Sequence, residues 1–471
     1  MRLAQALRIA EVPRIAFVGA GGKTTAIFQL ARELVRSGSS TKEDRYNPSS
    51  VIVCATTHLG VEQSELADCH FIVERPADLN IIDLNRHKGI VLFSGDDLGD
   101  ERLAGLDEDT TYTVLDLADR NRLPLLIEAD GSRMKPVKAP AEHEPAVPDW
   151  VDQVIVVVGL NALGKPLTSE FVHRPQIFTS LTGQRLGSKI SSEMLERMLV
   201  HPHGGLKNIP VGARCIVLLN QADTPERQAV GGRIAEQLVN LYDAVLISSL
   251  NPDPAVTGKR TVGKNYAKKA GVLAVHERIA GIVLAAGESK RFGKPKQLLV
   301  WENETFVRRA ARTALDAGLQ PVLVVTGAYE AKVRGALVDL PVALVHNPEW
   351  EHGQASSVRV AIQTLEYNIG AAIFLLADQP LVSVPLVQSL KETHSQTMAP
   401  IIAPMVNGQR GNPVVFDRIT FRDLISLRGD TGGRAIFPRY GVKWLLWHDN
   451  NIFFDVDTEE DYFTLIQKYM K

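Results

Sequence analysis

Two glycine-rich loops, each running into a lysine, carry the chemistry open to this sequence. Residues 284–296 read Leu-Ala-Ala-Gly-Glu-Ser-Lys-Arg-Phe-Gly-Lys-Pro-Lys. Glycine lets the backbone approach phosphate closely, and successive N–H groups form an anion nest. Leu284, Ala285, Ala286 and Gly287 are therefore expected to hold a nucleotide. Arg291 can fork onto phosphate oxygens, and Lys296 can sit against an α-phosphate as a point charge. A triphosphate carries about four negative charges, which must be neutralised and aligned before an oxygen attacks the α-phosphorus. The second loop, residues 18–25, reads Val-Gly-Ala-Gly-Gly-Lys-Thr-Thr. Here the backbone around Gly22 would cradle phosphate, Lys23 would reach the β- and γ-phosphates, and Thr24 could ligate Mg²⁺. The string departs from GxxxxGK(S/T), because Phe17 holds the first glycine position. A tighter loop is expected, and hydrolysis stays open.

Carboxylates stand where such loops need them. Asp378 follows the apolar run AIFLLA (372–377), at the end of an expected strand. Open α/β sheets bind ligands at that edge, and Mg²⁺ takes carboxylate oxygens together with substrate phosphates. The alternative for Asp378 is a loop cap. Asp130 follows LPLLI (123–127) and could be the acidic partner of the N-terminal loop's metal, with Glu128 as its rival. Asn220 and Asp223 follow CIVLL (215–219). The string Asn220–Asp223 is similar to the guanine-reading NKxD motif with Gln221 in place of Lys, in which Asp223 could accept from guanine N1 and N2; the alternative is a turn.

The elements that position these groups are legible from hydropathy. Short runs rich in Val and Ile recur at 14–18, 51–55, 123–127, 154–158, 215–219 and 244–248. Such runs read as strands buried on both faces of a parallel sheet. Helical spacing fills residues between them, as at Lys23–Arg36. New strands follow at 281–286, 321–326, 342–346 and 372–377, with helical patterns at 305–317 and 384–395. The expected fold is α/β, two doubly wound three-layer domains: 1–250, P-loop-like, and 279–471, Rossmann-like. Residues 251–278 are expected to be a basic linker, since prolines and glycines break 251–270 and its five Lys or Arg residues have no acid interleaved among them. A phosphate-facing flap is the alternative.

Composition narrows the partners. The net charge of −2 gives no global attraction to nucleic acid or to an anionic membrane, so neither is expected as a partner. Three cysteines, Cys54, Cys69 and Cys215, form neither a disulfide framework nor a metal-ligand spacing, which fits a reducing compartment. Arg8, Glu11 and Arg14 interrupt any signal-peptide core, and no apolar stretch is long enough to span a bilayer. The expected location is the cytoplasm. His201 and His203 read as loop histidines, because no third ligand is evident.

The C-terminal string LxxGxSxRxGxxK resembles the nucleotide loop of the MobA-like nucleotidyltransferases, and its LAAG start is closest to their molybdenum cofactor cytidylyltransferase branch. Ordered matches cover nearly all of 279–471: Asn347–Trp350 with Gly353–Ser357, Asp378-Gln379-Pro380, Gly411-Asn412-Pro413, Gly429–Arg434 and Asp455–Tyr462. The resemblance implies transfer of CMP from CTP to molybdopterin, with release of pyrophosphate. Arg291, Lys296 and Asp378 would be catalytic. Asp378 would hold Mg²⁺ together with Asp457, or with Asp455 as the fallback if the match slips in register. Gly411, Asn412, Pro413, Asp430 and Arg434 would face the acceptor. LAGG in place of LAAG would favour GTP. Residues 1–250 resemble the YqeC family, associated with maturation of selenium-dependent molybdenum hydroxylases, through GAGGKTT, CATTHLG, IEADGSRMKPVKAP, VVGLNALGKPL, VHRP, HGGLKN and LNQAD. That resemblance implies a hydroxylase apoprotein as a further partner. Two other readings remain: a sugar or alditol phosphate acceptor, and a nucleotide-switched cofactor carrier without transfer activity.

Overall fold

A computed structural model describes residues 1–36, 48–99, 101–250, 271–289 and 292–469. Arg291 and the basic stretch 251–270 lie outside the described residues. The chain forms two compact units, Met1–His276 and Glu277–Lys471.

The first unit is built on nine strands: β1 Arg14–Gly19, β2 Ser50–Ala55, β3 Cys69–Ile72, β4 Gly89–Ser94, β5 Leu125–Glu128, β6 Gln153–Gly159, β7 Arg214–Asn220, β8 Ala244–Ser249 and β9 Gly271–His276. Their order is β9-β8-β7-β6-β1-β5-β2-β4-β3. The first eight pair in parallel. Crossover helices such as α1 Lys23–Arg36 and α2 Pro225–Leu238 cover the faces, so every residue of β2 and β6 is buried. A fully buried Val or Ile contributes about 1.5–3 kcal/mol over an exposed one, so these central strands carry much of the unit's stability.

The ninth strand corrects the expected linker. Residues Gly271–His276 pair antiparallel with β8, and the Met1 ammonium donates to the Val272 carbonyl at 2.6 Å. The cause is apolar: Val272 and Val275 are 1% and 3% exposed, and they cover a sheet edge that would otherwise be open. The boundary between units therefore falls after His276 rather than at 250.

The main sheet of the second unit has eight strands among the described residues: β10 Arg278–Ala285, β11 Val322–Thr326, β12 Ala343–His346, β13 Ile369–Leu376, β14 Ile401–Val406, β15 Gln409–Arg410, β16 Val414–Asp417 and β17 Lys443–Leu446. The order is β12-β11-β10-β13-β16-β14-β15, with β17 beside β14. Strands β10 to β13 are parallel, joined by helices that include α3 Phe306–Asp316 and α4 Gln354–Thr364. Beyond β13 the sheet turns mixed, which the expectation of a doubly wound sheet missed. Strand β16 runs antiparallel to both β13 and β14. The connection from Val406 to Val414 is too short for the crossover a parallel pair needs. Helix α5 Val384–Thr397 packs on this half, and α6 Glu459–Tyr469 closes the unit.

Both sheets place a glycine loop and a carboxylate on neighbouring strand ends. Strand β1 lies beside β5, with Phe17 opposite Glu128. Strand β10 lies beside β13, with Leu284 opposite Leu376. Each loop thus leaves the sheet next to the acid that follows the adjacent strand.

Candidate functional sites

In the C-terminal unit the loop after β10 opens a cleft of about 710 Å³. Leu284–Ser289, Lys296, Gln297, Trp350–Gln354, Ser357, Asp378 and Asp430 line it. Gln297 is almost fully buried and shapes the loop from beneath. Its amide donates to the Gly287 carbonyl at 3.0 Å and to Ala285 at 3.4 Å. The Lys296 amide in turn donates to the Ser289 hydroxyl at 3.1 Å. Phe292 is buried with Trp301, Phe306, Val456 and Leu465, which ties the loop to the C-terminal segment.

That segment brings two more carboxylates. The Val456 amide donates to the Asp378 carbonyl at 3.1 Å. Asp455 accepts from the Gln379 amide at 2.5 Å, and Asp457 forms an ion pair with the Lys296 ammonium. Helix capping at this position falls to Thr458, whose hydroxyl accepts from the Asp461 amide at 3.2 Å, while the Asp461 carboxylate accepts from the Thr458 amide at 2.7 Å. Asp455 and Asp457 are thereby left free of the N-cap role. Burial and then repulsion from Asp455 push the Asp378 carboxyl up to about 6, against the pull of Lys296. Desolvation also raises Asp455, opposed by the Gln379 hydrogen bond. Carboxylates raised by burial and by neighbouring carboxylates fit a divalent cation, which would relieve both repulsion and burial. Among the described residues no group of three or more His, Cys, Asp or Glu side chains is gathered tightly enough to hold a metal alone. Substrate oxygens would have to complete the shell.

The proposed acceptor residues separate. Asp430 lies on the cleft, where its carboxylate accepts from the Gln354 amide at the start of α4 at 3.3 Å. Gly353 makes this approach possible: its φ is +93°, and a Cβ there would stand 2.6 Å from the Asp430 Cα. Arg434 acts electrostatically on Asp455 but is outside the cleft lining, as are Gly411, Asn412 and Pro413. Gly411 packs against Ile452, which a Cβ would meet at 2.4 Å. Sequence reasoning missed Gln297, Gln354 and Trp350 as wall residues. The GxxxS segment was a sufficient signal for Gln354.

The N-terminal cleft is larger, about 2240 Å³. Its floor is the loop after β1. Gly21 has φ +92°, and a Cβ there would lie 2.3 Å from the Gly159 amide nitrogen. Lys23 is 3% exposed. Its ammonium donates to the Gly19 carbonyl at 2.7 Å and pairs with Asp130 at 3.2 Å and Glu128 at 3.6 Å. Burial opposes the lysine's charge, but Asp130 and Glu128 outweigh it and hold its pKa above the ordinary value. Thr24 donates to Glu128 at 3.1 Å and accepts from the Gln63 amide at 3.2 Å.

Two sequence assignments change here. Asp130 is spent structurally: it accepts from the Gly19 amide at 2.9 Å and pairs with both Lys23 and Lys138. Glu128, the rival, accepts from Thr24 and lines the cleft beside the loop, which Asp130 does not. The reason is strand register, because Glu128 is the last residue of β5 and the chain has turned by Asp130. The guanine-reading pair also comes apart. Asn220 is buried, donates to the Gly21 carbonyl at 2.9 Å and accepts from Ser248 at 3.0 Å. Asp223 is outside the cleft lining, bonded to Ser249 and near Arg227. Asn220 thus braces the loop from outside the cleft lining.

Comparison with known proteins follows the two units. The family model described as YqeC protein matches residues 15–176, and that described as MobA-like NTP transferase domain matches 281–444. YqeC of Escherichia coli (strain K12) is 31% identical over 248 residues, covering 51% of this chain and 89% of that protein. The molybdenum cofactor cytidylyltransferase of Escherichia coli (strain K12) is 23% identical over 192 residues, covering 40% of this chain and 95% of that protein. A probable molybdenum cofactor guanylyltransferase of Bacillus cereus (strain Q1) is 30% identical over 192 residues, covering 39% of this chain and 93% of that protein. No helix among the described residues is long and apolar enough to cross a membrane.

Proposed function

Because the chain belongs to the YqeC family through its first unit and carries a MobA-like NTP transferase domain in its second, we propose that the second unit transfers CMP from CTP to the phosphate of molybdopterin. The first unit binds a nucleoside triphosphate on the loop Gly19–Thr24. The observation that carries the transferase reading is the meeting of Gly287, Lys296 and Asp378 in one cleft.

The reaction follows from those groups. A terminal phosphate oxygen of the acceptor attacks the α-phosphorus of CTP in line, the new P–O bond forms, and the bond to the β-phosphate bridging oxygen breaks to release pyrophosphate. A phosphate nucleophile is already ionised near neutral pH, so no protein base is required. The loop amides hold the β- and γ-phosphates, and Gln297 keeps the loop in shape for them. Lys296 leaves Asp457 for the triphosphate and stabilises charge as the transition state forms. A Mg²⁺ held by Asp378 with Asp455 or Asp457 would neutralise phosphate charge. Asp430, fixed on the first turn of α4, bounds the cleft on the acceptor side.

The preference for CTP rests on Ala286 in the LAAG string, while relatives bear both cytidylyl and guanylyl names. Pyrophosphate release is measured with CTP, GTP and ATP in the presence of purified molybdenum cofactor. CTP is expected to give the fastest release. Faster release with GTP overturns the base assignment, and binding without pyrophosphate from any triphosphate favours a carrier.

A further inference from the structure

The N-terminal cleft has more room and more charge than its glycine loop uses. An ordinary small-molecule pocket encloses roughly 300–1,000 Å³, whereas this cleft encloses about 2240 Å³. A chain of polar side chains runs along it from the loop. Thr24 donates to Glu128, Glu128 faces Lys23, Lys23 pairs with Asp130, and Asp130 pairs with Lys138 at 2.9 Å. Lys138 then meets Glu144 at 2.7 Å, and Glu144 accepts both arms of the Arg174 guanidinium at 2.6 and 2.9 Å. Acids and bases alternate, so each inner charge is compensated. Arg174, at the end of the chain, keeps a quarter of its side chain exposed to the cleft.

The backbone around this end is held in unusual shapes. Arg174 has φ 61°, and the consecutive residues Arg133 and Met134 have φ 50° and 59°. Left-handed non-glycine residues persist where their surroundings over-determine them, and they gather at ligand sites. The turn carrying Arg133 lies on the glycine loop, since the Gly21 amide donates to the Lys135 carbonyl at 3.1 Å. Arg133 and Lys135 both line the cleft, and their side chains have no hydrogen-bond or ion-pair partner among the described residues. Cations prevail here: burial, then Arg174 and Lys138, with a smaller part from Arg133, hold the His173 imidazole down at about 4 against the pull of Glu144. Thr57 adds a buried hydroxyl on the cleft without a partner.

We propose that this cleft is a two-ligand site, in which Arg133, Lys135 and Arg174 take the phosphate or comparable oxyanion of a second small molecule beside the nucleotide. The proposal rests on the reading of Gly19–Thr24 as a nucleotide loop. The ion-pair chain gives both ligands one scaffold, so that seating one fixes the residues that orient the other.

The test titrates the full chain, carrying Lys296→Ala to weaken phosphate binding in the C-terminal cleft, with inorganic phosphate as the probe. Calorimetry is run with and without a saturating non-hydrolysable triphosphate analogue and Mg²⁺. Phosphate is expected to bind while the analogue is present. Arg133→Ala removes an exposed charge, and Arg174→Lys keeps a cation on Glu144 but loses the fork. Each is expected to weaken phosphate about tenfold or more, with analogue affinity changed less than about twofold. Thr24→Val is expected to do the converse. Competition of phosphate and analogue for one site overturns the proposal, as does unaltered phosphate affinity in both arginine variants. If analogue binding is indifferent to Thr24→Val, the nucleotide reading of the loop falls, while the phosphate titration still judges the basin.

Discussion

Replacing Asp378 by asparagine is expected to make the metal-free protein more stable at neutral pH. The Asp378 carboxyl titrates near 6 in the fold against an ordinary 3.8. The folded state therefore keeps a proton that the unfolded chain gives up between about pH 4 and 6. For a carboxyl raised in this direction, the stabilising contribution is complete below the unfolded value and is lost as pH rises through the folded one. A rise of about two units corresponds to about 3 kcal/mol at pH 7.5. Asparagine removes that penalty. For a unit the size of Glu277–Lys471, 1 kcal/mol moves Tm by about 2–4 °C, so Asp378→Asn should melt about 6–12 °C higher in chelator at pH 7.5. The gap should close towards pH 4, where both proteins are neutral at this position. Trp301, Trp350, Trp444 and Trp447, four of the five tryptophans, lie in this unit, so intrinsic fluorescence follows its unfolding. Mg²⁺ should then raise the Tm of the wild type by mass action and leave the variant unmoved. Equal melting at pH 7.5, a gap that persists at pH 4, or equal protection by Mg²⁺ would refute the reasoning.

Other expectations follow from the same geometry. Lys296→Ala should slow pyrophosphate release by about 10²–10³-fold, as loss of one charge-stabilising donor does elsewhere; a fall under about tenfold in single-turnover assays would remove Lys296 from the chemistry. Gly353→Ala must place a Cβ 2.6 Å from the Asp430 Cα at a φ of +93°, and should cost about 1–3 kcal/mol in urea unfolding of the C-terminal unit. Lys23→Met leaves Glu128 and Asp130 buried without their shared cation, and should destabilise the N-terminal unit by about 3–5 kcal/mol; adding Glu128→Gln should recover part of that, which a double-mutant cycle measures.

The sequence carried the parallel strands because they are buried on both faces. Runs such as 51–55 and 154–158 have no polar alternation to confuse them, and they appear as β2 and β6. What stayed hidden depends on contacts made far along the chain. Gly271–His276 looks like the tail of a basic linker until β8 supplies its partner. The antiparallel turn of the C-terminal sheet follows from the short Val406–Val414 connection, which a search for alternating strands and helices passes over. Among site residues, Lys296 and Asp378 were legible because their loops follow apolar strands directly. Asp130 misled because motif spacing does not say which of two acids still lies in strand register, and only Glu128 does. Lys138 and Arg174 lay in strings that were recognised, while Glu144 lay in none, and nothing in a string says that Glu144 meets an arginine 30 positions away.

The C-terminal cleft draws its parts from opposite ends of the unit: Lys296 near the start, Asp455 and Asp457 near the finish. On the ribosome this imposes a schedule. The strand that completes the first unit ends at His276, and Asp455 emerges 179 residues later. At roughly 5–20 residues per second, the first unit has about 10–40 s to fold and meet its ligands before the second can assemble its carboxylates. On the function proposed above, a nascent chain would be able to bind nucleotide through its first unit well before it could catalyse through its second.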